Sequence, residues 1–203
     1  MKAPTFLAVG WDKLLHKWDD PAAKTDGGGD EEEDFVPCED IPPPGITVHR
    51  NDIMSCCFDL KTMLIFTGGV DGFIIGWNYE TKFARHELHL SDPTCTSANH
   101  IADSKSVDAL VIMEEKRLLI SMSADQWIRF WDIDNMTVNE VKPPVFKFNA
   151  DHMNPVFLDQ LTGLAITNNN DRCVTSDTSG RIKMFNLSKI DFKGEISKEE
   201  KES

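Results

Sequence analysis

The ten residues GVDGFIIGWN (69–78) decide how this chain folds. A Gly-Val-Asp-Gly turn opens directly into an apolar, β-branched run that ends in Trp-Asn. Bounded in this way, the run reads as a short strand entered through a tight turn. The same punctuation recurs in GWDKLLHKWD (10–19), SADQWIRFWD (123–132) and DTSGRIKMFN (177–186). Asp12, Asp71, Asp125 and Ser179 fall in register, and Trp18, Trp77, Trp131 and Phe185 stand six residues later. The steps between equivalent positions are 59, 54 and 54 residues, the spacing of a protein built from stacked repeats.

Working outward from the second repeat, residues 53–58 read as a first strand, 63–67 as a second, 73–77 as a third and 82–88 as a fourth. These runs are almost continuously apolar rather than alternating. That pattern predicts sheets covered on both faces by their neighbours. With 203 residues and a repeat that runs through most of them, one architectural unit is expected.

From Phe6 to Asn186 the repeat resembles the WD-repeat family of β-propellers. The resemblance implies an all-β fold, a partial propeller of three and a half to four blades of four antiparallel strands, within a ring of seven or eight. The expected propeller region is 1–192, with blades at 5–48, 49–90, 107–148 and 157–192 and a charged tail or linker at 193–203. The first blade starts at its second strand (5–9), so the chain reads as a piece of a longer polypeptide that supplies the remaining blades. A compact four-blade ring is the alternative. The resemblance also implies a polar tetrad in each blade, complete in the second: His49, Thr67, Asp71 and Trp77. The third keeps Ser121, Asp125 and Trp131 but has Asp103 at the His position, with His100 nearby. The first keeps Asp12 and Trp18 with Ala8 at the hydroxyl position, and the fourth keeps Thr175 with Ser179 and Phe185. The resemblance makes these residues structural, and no enzymatic role is expected of them.

Charge is unevenly spread. Of a formal net charge of −13, residues 19–40 hold ten acidic side chains against one lysine. This stretch, inside an insert at 20–44, reads as a solvated acidic insertion. An acidic chain is a poor partner for nucleic acid or anionic membrane. The insert lacks the ligand spacing of an EF-hand, so dedicated calcium binding is not expected. The five cysteines (38, 56, 57, 95, 173) form no disulfide-like framework and read as reduced thiols. His86, His89, Cys95 and His100 fit no standard zinc spacing. No phosphate-binding loop or nucleophile elbow is present, so neither metal nor cofactor is expected.

Binding is therefore the expected function. In the family resembled, the turns carrying Asp12, Asp71 and Asp125 form one rim used for partners, which makes Trp11, Lys13, Val70, Gln126, Trp127 and Thr178 candidate contact residues. The segment order, including the SVDAL opening at 106–110 and the Asp-Thr-Ser-Gly turn at 177–180, looks like that of large ciliary and flagellar WD-repeat proteins, some with EF-hands. That narrower resemblance implies a cytoskeletal scaffold in the axoneme, bound to axonemal complex subunits or microtubule-associated components. A soluble adaptor is the alternative: a ubiquitin-ligase substrate receptor or a trafficking-complex subunit.

Overall fold

The computed structural model describes residues 5–19, 38–43, 45–90, 106–137, 143–150, 160–188, 190 and 192. Among them lie no helices and fourteen strands, grouped in four antiparallel sheets. The first sheet is β1 (Thr5–Val9), β2 (Leu15–Asp19) and β3 (Glu39–Ile41). The second is β4 (Ile53–Asp59), β5 (Leu64–Gly69), β6 (Phe73–Asn78) and β7 (Ala84–His89). The third is β8 (Val107–Met113), β9 (Leu118–Ser123), β10 (Trp127–Asp132) and β11 (Phe146–Asn149). The fourth holds β12 (Leu161–Ile166), β13 (Arg172–Asp177) and β14 (Ile182–Asn186). Each sheet is a meander, so neighbours in sequence pair. Together they are the blades of a partial propeller.

The recurring turn explains why the blades repeat. Lys13, Gly72, Gln126 and Gly180, each one residue after the aligned Asp or Ser, all have left-handed backbone, with φ between 67° and 82°. Each also donates its N–H to the carbonyl three residues back: Gly10, Gly69, Ser123 and Asp177. In the first three turns the aspartate Oδ1 accepts the N–H two residues on, from Leu14, Phe73 and Trp127, at 3.0–3.1 Å. This is the reason for an Asp there: its short carboxylate completes the turn that launches the next strand. In the fourth blade Asp177, two residues earlier, takes over, accepting from the N–H groups of Ser179 and Arg181.

Apolar side chains meet in three layers, one between each pair of consecutive blades. Leu15 and Ile41 of blade one face Ile65, Ile75 and Trp77 of blade two. Leu64, Phe66 and Ile74 of blade two face Leu119 and Trp131 of blade three. Ile120, Met122 and Phe130 of blade three face Leu161 and Cys173 of blade four. Strand periodicity does this: in β5 and β9 every residue is buried, and successive side chains enter opposite layers. The first strands pack in sequence, β4 on β8 and β8 on β12. Gly68 marks the tightest approach, since a Cβ there would lie 2.4 Å from Val107 across the blade boundary.

An ion-pair cluster clamps blades two and three at one edge. Arg117 donates to both oxygens of Asp59 at 2.7 Å, and its Nε reaches Asp134 at 3.0 Å. Lys61 closes the cluster on Asp134 at 3.1 Å. The Asp59 side chain is buried. Arg117 holds its carboxyl far below the usual carboxylate range, aided by Thr62 and opposed by burial.

In the last blade three strands are described. The fourth, expected to complete the blade near 189–192, falls partly on residues outside the described set, while Ile190 and Phe192 are described singly and lie in no strand. Phe192 packs its ring 5.0 Å from Phe130 and 5.8 Å from Phe146 of blade three. On β14, Ile182 and Met184 stand 75% and 58% exposed. The acidic segment 20–37, Cys95, His100, Asp103 and the tail 193–203 lie outside the described residues.

Candidate functional site

Blade two assembles its four tetrad residues into a continuous chain. His49 Nδ1 lies 3.1 Å from Asp71 Oδ2, and its Nε2 lies 2.8 Å from Thr67 Oγ1. The Trp77 indole N–H donates to the same Thr67 oxygen at 2.7 Å. Asp71 is further fixed by the backbone N–H of Arg50 at 2.8 Å. Burial works against its charge, but the bonds from His49 and the backbone outweigh it and keep its pKa below the ordinary carboxylate value. Gly69 is required beside this group, because a Cβ would fall 2.5 Å from Asp71 Oδ1 and 2.7 Å from His49 Nδ1. His49, Thr67 and Trp77 are buried and their polar atoms are paired. The arrangement secures the turn and the blade boundary.

The other blades solve the same problem differently. In blade three Trp131 donates to Ser121 Oγ at 2.9 Å, as Trp77 does to Thr67. Among the described residues the carboxylate partner is Arg129, four residues along from Asp125 on β10. Its guanidinium reaches Asp125 Oδ2 at 2.6 Å and Ser123 Oγ at 2.9 Å. Blade one uses the same spacing: His16 Nε2 lies 2.7 Å from Asp12 Oδ2. A basic residue four after the turn Asp is therefore the signal that a search for an upstream His misses.

Blade four shows what the degraded tetrad loses. Thr175 is buried, and its Oγ1 has no hydrogen-bond partner among the described residues. Phe185 stands where the indole donor stands in blades two and three. Thr175→Val should therefore raise stability by about 1 kcal/mol, since an unpaired buried hydroxyl is removed without changing shape. Thr67→Val should lower it by about 2 kcal/mol, because Trp77 and His49 would each lose a partner. Equilibrium urea unfolding of both variants checks the opposite signs.

The rim candidates divide. Trp11 is 81% exposed, and Thr178 is exposed as well. Lys13 and Val70 are half-buried. Trp127 is half-buried beneath Lys147, whose ammonium sits 5.3 Å from the ring centre. Gln126 does not belong to the surface: it is 8% exposed, because Ala150 donates its N–H to the Gln126 carbonyl and the end of β11 closes over it. The thiols of Cys57 and Cys173 are pushed up by burial, that of Cys173 to about 12, so neither is a nucleophile at neutral pH. His86 and His89 do not converge: burial pulls the pKa of His86 down, and His89 pairs with Glu87 at 2.9 Å.

Comparison with known proteins adds a distant relative. Over 89 residues the chain is 33% identical to the DDB1- and CUL4-associated factor 11 homolog of Caenorhabditis elegans, a match that spans 43% of this chain and 14% of that protein. Residues 44–78, the stretch that carries the complete tetrad, match the family described as WD domain, G-beta repeat.

Proposed function

We propose that this chain is a protein-interaction module that works as a soluble adaptor in a DDB1- and CUL4-linked assembly. The observation that carries the reading is the contrast between buried, saturated tetrads and a rim that holds Trp11 almost fully in solvent. An exposed indole beside a hydrogen-bonded turn is a natural anchor for a partner protein. The match to the C. elegans relative supplies the class of assembly. The apolar side chains Phe6, Ile182 and Met184 on the outer blades are where further blades of the same propeller would seat. The ciliary scaffold is the second reading, supported by the order of the segments alone.

The test is a pull-down from cell extract with the full-length protein and its Trp11→Ala variant. DDB1 should be retained by the wild type from the detergent-soluble fraction, and the variant should lose at least about tenfold of partner binding. Recovery only in detergent-resistant axonemes, without DDB1, would replace the adaptor reading with the scaffold one.

A further inference from the structure

The edge of blade one brings together residues that linear spacing keeps apart. His16 lies on β2, while Cys38 and Asp40 lie at β3, on the far side of the 20–37 segment. The pairing register sets His16 opposite Asp40. His16 Nδ1 then stands 2.8 Å from Asp40 Oδ1 and 3.6 Å from Cys38 Sγ, and Cys38 Sγ stands 3.8 Å from Asp40 Oδ1. One nitrogen, one sulfur and one oxygen thus lie within 4.8 Å of one another.

A tetrahedral zinc ion, with bonds of about 2.0–2.3 Å, holds such donor atoms about 3.3–3.6 Å apart. The three atoms are within about half an ångström of those edges. Behind them, the second nitrogen of His16 is bonded to Asp12 at 2.7 Å. A carboxylate on the far ring nitrogen is the arrangement that fixes the tautomer and orientation of a metal-ligating histidine. A mixed nitrogen, sulfur and oxygen set suits zinc over calcium or magnesium, which take oxygen ligands. His16 is partly exposed, which leaves a fourth position for water or for a ligand from a partner.

We propose that His16, Cys38 and Asp40 form a zinc site, with Asp12 as its positioning residue. The bound ion would tie β3 to β2 and so clamp the point at which the acidic segment rejoins the blade.

The test uses the full chain with Co2+ as a spectroscopic probe and Zn2+ in competition with a chromophoric chelator. One Co2+ per chain should give a thiolate-to-metal charge-transfer band and the visible bands of a tetrahedral ion. Cys38→Ser should abolish the charge-transfer band, and His16→Asn should weaken Zn2+ binding at least about 100-fold. Asp12→Asn should weaken it about 10–100-fold while leaving the cobalt spectrum unchanged, as a positioning role requires. Alkylation kinetics of the wild-type thiols give the same answer without a variant: one equivalent of Zn2+ should slow Cys38 at least tenfold and leave Cys56 unaffected. Binding that survives Cys38→Ser and His16→Asn would place the ion on the acidic segment and overturn the proposal. Absence of both the charge-transfer band and thiol protection would do the same.

Discussion

Replacing Trp77 by alanine should lower stability by about 3–5 kcal/mol, the largest single effect expected in this chain. Trp77 is fully buried in the layer between blades one and two, so its removal leaves a cavity lined by Leu15, Ile41 and Ile65. It also removes the donor at 2.7 Å from Thr67 Oγ1. Trp77→Phe separates the two contributions, because it keeps most of the packing and loses only the indole N–H. That variant should lose about 1–2 kcal/mol. Blade four already carries Phe185 at the equivalent position, and Thr175 there has no hydrogen-bond partner among the described residues. Urea unfolding followed by the fluorescence of the remaining tryptophans reads both variants. Equal losses for Ala and Phe would mean that the hydrogen bond dominates and packing does not.

The second large effect is expected at Asp59. Asp59→Asn should lower stability by about 2–3 kcal/mol, less than for a fully enclosed pair because the Arg117 side chain is partly exposed. The substitution keeps the shape and removes the charge that two guanidinium bonds at 2.7 Å require. The pair also predicts a pH dependence. Asp59 has a folded pKa depressed well below its unfolded value, so its contribution is fully present above that unfolded value of about 3.9. It is lost as pH falls below about 4 towards the folded pKa. Unfolding midpoints measured from pH 7 to pH 3 should therefore drop more steeply at the acid end for wild type than for Asp59→Asn. Parallel acid limbs would remove Asp59 from the account of stability.

The fold is legible because its turns are chemically specific. An Asp followed by a residue in left-handed backbone, then a short run ending in Trp, marks this hairpin in the first three blades without knowledge of the neighbours. Lys13 and Gln126 show the limit of that rule, since neither is glycine and both adopt the conformation. Their turns are held by the preceding aspartate and by the blade around them. Long-range substitutions are harder to read. Arg129 pairs with the turn carboxylate of the third blade, and only the position of β10 beside β9 shows that its guanidinium reaches Asp125 and Ser123. The His16, Cys38 and Asp40 group is hidden for the opposite reason. Its members are 22 and 24 residues apart, beyond any local motif, and only strand pairing gathers them. Gln126 fails as a surface residue because a turn position fixes the backbone but not what folds over it.

Placing Arg129 on the strand makes the anchoring of its turn local. In blade two the tetrad draws His49 from the connection leading into β4, so the Asp71 turn is anchored to a residue 22 positions away. In blade three Ser123, Asp125 and Arg129 are no more than six positions apart, all within one hairpin. A contact that closes over so short a stretch of chain costs little entropy, so this turn is able to form with its own hairpin, whereas the Asp71–His49 contact waits for the entry segment of its blade to arrive.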